Sequence, residues 1–206
     1  TVEVNTGAGG ASIVDCLVAS AGSSTVTLTW GENPSDLDTR LYGFSDVDQA
    51  SDFEVNFTQR TVTVNDITID LDVDDVTSFG PEVVTFPEFP FPGTYRYAVH
   101  LYSGTGSIQA SPARVELNLR GQAQVFNPPG GQPTACWAVF DLQVDDVGNA
   151  VVVPLGTWEP EAYCTAGEFQ RPGAVSGQSA APSRGVPRAL TSNPLVRAIE
   201  NKYYGP

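Results

Sequence analysis

Residues 69–82 read IDLDVDDVTSFGPE, and the alternation inside this stretch decides the fold. Ile67, Ile69, Leu71 and Val73 hold the odd positions, and Thr68, Asp70, Asp72 and Asp74 the even ones. Successive side chains of a strand point to opposite faces, so the pattern predicts a strand with one apolar and one acidic face. The apolar face requires a core to pack on. The acidic face requires something that lets a row of like charges stand together.

The same period of two recurs along the chain. Val26, Leu28 and Trp30 alternate with Thr25, Thr27 and Thr29; Phe53, Val55 and Phe57 repeat the pattern, as do Tyr95, Tyr97, Val99 and Leu101, and then Val115, Leu117 and Leu119. Further strands are expected at 11–19, 61–64, 82–86, 122–126, 136–144 and 149–155. Turn residues separate them: Asn33-Pro34, Gly80-Pro81, Pro92-Gly93, Pro128 to Gly131, and Asp146 to Gly148. Many short strands with regular turns and no helical periodicity predict an all-β antiparallel sandwich. Trp30, Tyr95, Tyr97 and Trp137 fall in the core phase of their strands.

After Cys164 the texture changes. Of residues 165–206, 20 are Gly, Ala, Ser or Pro, which is the composition of an extension and not of a sheet. Ser192-Asn193-Pro194 then reads as a helix cap, and Leu195, Ile199 and Tyr203 share a face in a short helix expected over 194–203. The domain reading is therefore a sandwich at 1–164 and a basic tail at 165–206.

The charge is divided in the same way. The chain carries 24 Asp plus Glu against ten Lys plus Arg, net −14. Residues 1–164 hold 22 acids and five Arg, net −17; residues 165–206 hold two acids and five cations, net +3, and the two sum to −14. Such acidity argues against nucleic acid as a partner and against an anionic membrane held by a basic patch. No apolar run approaches the ~18 residues that cross a bilayer, so no membrane insertion is expected. The start at Thr1 and the absence of Met fit a mature, processed protein, although a trimmed chain would read the same.

Three cysteines match no zinc spacing. Strands 136–144 and 149–155 should form a hairpin around Asp145–Gly148, which leaves Cys136 near the exit of the chain from the sheet. Cys164 follows that exit and can reach back, so a Cys136–Cys164 disulfide is expected, with Cys16 free or intermolecular. A disulfide implies an oxidising, secreted or cell-surface setting.

Four motifs in this order, VTLTWGENPSDLDTRLYGF (26–44), LDVDDVTSFGPEVVTF (71–86), PGTYRYAVHLYSGTGS (92–107) and CWAVFDLQ (136–143), resemble the bacterial YfaP-like family of secreted β-sandwich domains. The resemblance covers roughly residues 24–155. It implies an extracellular, immunoglobulin-like domain that serves as an accessory module. The tail and the segment before about residue 20 have no counterpart in that family.

Two readings of the acidic face stand. Alternate residues on a strand lie ~6.5–7 Å apart, so Asp70, Asp72 and Asp74 cannot share one ion unaided. Asp36-Leu37-Asp38 offers a second segment, and Ca²⁺, which takes six to eight oxygens at ~2.3–2.6 Å, could be held by Asp36, Asp38, Asp72 and Asp74. The other reading is a solvated acidic surface. For catalysis the chain offers little: His100 is its sole histidine, read as half-exposed on its strand, and no nucleophile elbow, zinc-protease motif or phosphate loop exists. An enzyme is not expected.

The FPEFPF loop (86–91) is a candidate sugar-stacking or partner site, or else packs under itself, and Asn56-Phe57-Thr58 is a glycosylation sequon. Two functions are expected from this. One is a structural subunit of an extracellular filament or surface layer, in which copies of the chain bind each other through Arg184, Arg188, Leu195, Arg197, Ile199 and Tyr203. The other is an accessory module for carbohydrate or another cell-surface ligand.

Overall fold

A computed structural model describes residues 22–165. The strand expected at 11–19, Cys16 and the whole tail with its helix over 194–203 lie outside the described residues. Along the chain run β1 (Ser24–Thr29), β2 (Asp36–Ser45), β3 (Phe53–Val55), β4 (Thr61–Val64), β5 (Ile67–Val73), β6 (Glu82–Phe86), β7 (Gly93–Ser103), β8 (Arg114–Leu119), β9 (Gln122–Phe126), β10 (Cys136–Val144) and β11 (Ala150–Glu159). A 3₁₀ turn at Gln49–Ser51 and a one-turn helix α1 at Glu161–Thr165 complete them.

These strands build two antiparallel sheets, in the orders β4-β5-β6-β1-β8-β9 and β11-β10-β7-β2-β3. The alternation explains the layering. In β1 the apolar Val26 and Leu28 are buried and the threonines between them half-buried, and Val84 and Phe86 of β6 repeat this beside them. Tyr95, Tyr97 and Val99 of β7 and Trp137, Phe140 and Leu142 of β10 meet them from the second sheet. Trp30, Tyr95, Tyr97 and Trp137 are all core. The expected all-β sandwich is what the chain forms.

Four departures have physical causes. β2 shows no alternation because all ten of its residues are buried. Its inner face, with Leu37 and Leu41, lies in the main core, while Tyr42 and Phe44 join Ala98, Cys136, Cys164 and Tyr163 in a second cluster under α1. β3 ends at Val55, not Phe57, because Asn56 turns the chain: its Oδ1 accepts from the Thr58 and Gln59 N–H groups and the Thr58 hydroxyl. That same Asn56 is buried and its amide donates to Glu54, so the sequon is a turn and not an accessible glycan acceptor. β11 runs on to Glu159, paired to β10 as far as Cys136.

The FPEFPF loop packs under itself. Phe86 and Phe91 are buried, and Phe89 and Phe91 lie 5.0 and 5.3 Å from the Tyr95 ring. The Tyr95 hydroxyl donates to the Phe91 carbonyl at 2.7 Å. These rings fill the core and offer no platform for a sugar.

Candidate cation site

The Asp70–Asp75 stretch meets the Asp36–Asp38 stretch at one corner of the sandwich, and three elements build it. β3 covers the edge of β2 only at Leu41–Gly43. Upstream of that cover, the Thr39 N–H donates to Glu82 Oε2. Glu82 opens β6 in the inward phase it shares with Val84 and Phe86, and it is fully buried. A carboxylate therefore stands where the strand pattern calls for an apolar residue.

The third element is β5. Its pairing with β6 slips between Leu71 and Val73. Such a bulge inserts one residue and reverses the phase beyond it. Val73, expected on the apolar face, is exposed, and Asp74 turns inward in its place. One oxygen each of Asp38, Asp74 and Glu82 lie within 4.8 Å of one another. Ligands at ~2.3–2.6 Å on opposite sides of one Ca²⁺ stand about 5 Å apart, so this trio spans the distance such an ion requires.

Of the expected ligands, then, Asp38 and Asp74 are brought together. Asp36 is buried beside them, close enough for their charges to act on it. Asp72 is not brought in: it is the unpaired residue at the slip, is exposed, and its backbone carbonyl accepts from Arg60. Glu82 takes its place. The signal for it lay in the sequence as the one acid in the inward phase of β6.

The carboxylates at this corner are short of partners. Asp36 Oδ1, Asp38 Oδ2, Asp74 Oδ1 and Glu82 Oε1 are buried and accept no hydrogen bond from the described residues. Two arginines approach: Arg40 Nη2 lies 3.5 Å from Asp38, and Arg60 Nη1 3.6 Å from Asp74. Arg40 is shared, since its Nη1 donates to Glu54 at 3.0 Å while the guanidinium rests on the Phe57 ring. Burial, the largest cause, pushes the Glu82 carboxyl up to about 9 against its bond from Thr39, and burial followed by the neighbouring Asp38 and Asp74 charges raises Asp36 to about 6.

His100 is buried, not half-exposed, because α1 covers its strand. Nδ1 lies 3.6 Å from Asp38 Oδ2, and Nε2 3.8 Å from Glu161 of α1. It braces the corner from the side of the second sheet. Further along the same face, Arg96 of β7 forms a two-pronged pair with Asp141 of β10 at 2.5 and 2.6 Å and donates to the Tyr163 hydroxyl at 2.7 Å. Cys136 and Cys164 stand at disulfide distance, Sγ to Sγ 1.97 Å, joining α1 to β10.

No family model matches the chain, and no curated protein matches it. Among solved structures the fold resembles that of a homologue of the telluride resistance protein TerD from Streptomyces coelicolor A3(2), with TM-score 0.50 and 15% identity over 74% of this chain and 100% of that one. A crystal structure of a protein described as of unknown function matches with TM-score 0.47 and 17% identity, over 69% of this chain and 95% of that one. At such identities the likeness concerns the fold.

The filament or surface-layer subunit expected from the sequence is corrected by this finding: the solved structure that the sandwich resembles is a homologue of a telluride resistance protein, and the likeness gives no support to an assembly subunit. Within the sandwich Arg40, Arg60 and Arg96 pair with Asp38, Glu54, Asp74 and Asp141. The expected tail contacts, Arg184, Arg188, Leu195, Arg197, Ile199 and Tyr203, lie outside the described residues.

Proposed function

We propose that the sandwich is a non-enzymatic module that binds a divalent cation of the Ca²⁺ class at the corner formed by Asp38, Asp74 and Glu82, with Asp36 as the adjoining carboxylate. The observation that carries this is the set of buried carboxylate oxygens, gathered from three elements, that have no hydrogen-bond donor among the described residues. Burying such oxygens unpaired is costly, and a hard cation is the partner that satisfies several at once. An all-oxygen donor set selects Ca²⁺ or Mg²⁺ over softer metals. A secreted location is proposed with it, supported by the Cys136–Cys164 pair, which fits an oxidising compartment.

Chelation should lower the melting temperature. A ligand that binds only the native state stabilises by RT ln(1 + [L]/Kd), so ion at 100 Kd contributes about 2.7 kcal/mol. Glu82→Gln keeps the shape and removes the charge, and this variant should melt at one temperature with and without chelator. A wild-type melting curve that ignores excess EDTA ends the proposal.

The cation-free protein should also show a characteristic pH dependence. An acid whose folded pKa is raised keeps its proton in the fold after the unfolded chain has released it. For Glu82 that window runs from the ordinary value near 4.5 to about 9, and stability falls as pH rises through it. The slope is at most about 1.4 kcal/mol per pH unit for one proton. Asp36 acts in the same direction between 3.8 and about 6. Thermal melts in chelator should therefore decline from pH 5 to pH 8, and the decline should shrink in Glu82→Gln. A flat profile identical in both proteins would contradict the assignment of Glu82.

A further inference from the structure

The loop that leaves the cation corner carries two large apolar side chains into solvent. Residues 74–81 join β5 to β6, starting at Asp74 itself, and Val76 and Phe79 are each 61% exposed. Phe79 is not loose. Its N–H donates to the Gly31 carbonyl and its carbonyl accepts from the Trp30 N–H, both at 3.2 Å. Its backbone is left-handed (φ 69°), as is that of Ser78 (φ 95°). A non-glycine aromatic in that region is uncommon and costs of order a kcal/mol, and such outliers persist where the surroundings impose them.

The next residue shows what imposes it. A Cβ on Gly80 would stand 2.7 Å from the Trp30 ring, so the loop is seated directly on the core. The fold holds Phe79 rigidly in a conformation that exposes its ring.

The charge of the loops at this end is predominantly acidic. Ser78 Oγ donates to the Glu32 carbonyl at 3.0 Å, which ties 74–81 to the loop at 30–35, and Thr105 reaches Asn33 from a third loop. Residues 30–35, 74–81 and 104–113 contain Glu32, Asp74 and Asp75 and not one Lys or Arg, and the cation beside them is Arg60 of the neighbouring strand edge, 3.6 Å from Asp74. Alone, this end repels any anionic surface. With a divalent cation at Asp38, Asp74 and Glu82 its sign changes locally, and three carboxylates leave part of a six-to-eight-oxygen shell to other ligands. Asp74 is the ligand with solvent access, its side chain 16% exposed against 4% for Asp38.

We propose that loop 74–81 is a cation-dependent docking surface for an anionic phospholipid membrane: headgroup oxygens approach the cation at Asp74, while Val76 and Phe79 enter the interfacial layer. The inference rests on the cation reading above. It accounts for an exposed Phe beside an acidic corner, since apolar contact alone binds membranes marginally and needs an electrostatic second signal. It also agrees with the lack of Lys and Arg in the three loops at this end, because the cation supplies the positive charge.

The test uses the full chain with vesicles of phosphatidylserine and phosphatidylcholine, and with phosphatidylcholine alone, in calcium or in EDTA. Cosedimentation is expected only with the anionic vesicles in calcium. Phe79→Asn accepts the left-handed backbone more readily than Phe. It should melt no lower than wild type and bind calcium equally in calorimetric titration, yet bind vesicles at least about tenfold more weakly. Val76→Ser should weaken binding in the same direction.

Calcium binding without vesicle binding overturns this inference and leaves the cation site standing, whereas loss of calcium binding in wild type overturns both. Vesicle binding that persists in EDTA, or that Phe79→Asn retains in full, also overturns it. So does calcium-dependent self-association that is lost in Phe79→Asn without any vesicle binding, which would assign the loop to a second copy of the chain.

Discussion

Replacing Arg96 by Ala should destabilise the protein by about 3–5 kcal/mol, because it leaves Asp141 buried with its charge unmatched. The two side chains are direct cross-strand partners on β7 and β10 and are both nearly inaccessible to solvent. Their geometry is the two-pronged fit of guanidinium to carboxylate, the strongest of the charge-assisted pairs. Arg96→Ala also removes the donor to the Tyr163 hydroxyl, and with it one tie to α1. A buried pair is costly to break yet not necessarily better than an apolar pair of similar volume. The double replacement Arg96→Met with Asp141→Leu should therefore recover most of the loss. Urea unfolding of the three proteins checks this; a single-variant cost below about 1 kcal/mol would mean that water already reaches Asp141.

Removing the Cys136–Cys164 link should cost roughly 3–4 kcal/mol. The two residues are 28 apart in sequence, and the chain-entropy model gives that magnitude for a loop of this size. The link does more than close a loop. It pins α1 against Tyr42, Phe44 and Ala98 on the outer face of the second sheet, beneath which His100 and Arg96 are buried. The Cys136→Ser, Cys164→Ser protein should thus unfold at lower urea and gain hydrogen exchange in α1 and the outer face before the rest. Equal midpoints for oxidised wild type and the double variant would show that the core alone holds that face.

Much of the fold was legible because most strands bury one face only. β1, β6 and β8 announce themselves by alternation; β7 is buried on both faces, yet its outer face carries the polar Arg96 and His100, so its period could still be read. β2 hid because both its faces are covered, one by the core and the other by α1, and a strand buried on both sides has no period to read.

The site was half legible. Asp36, Asp38 and Asp74 stood out as clustered acids on separate segments. Asp72 was grouped with Asp74 on the assumption of an unbroken pleat, and the slip after Leu71 reverses that phase. A bulge depends on the pairing of two strands, so the sequence of one cannot reveal it. Glu82 was overlooked for another reason: it opened the strand expected over 82–86, but its inward phase, shared with Val84 and Phe86, was not weighed.

Calorimetric titration of calcium into the chelator-treated full chain tests the central claim most directly. The account predicts a saturable heat for wild type that disappears in Glu82→Gln, with the variant's cooperative melting transition intact. Wild-type protein that gives no binding heat, or a Glu82→Gln variant that binds calcium as wild type does, would contradict it.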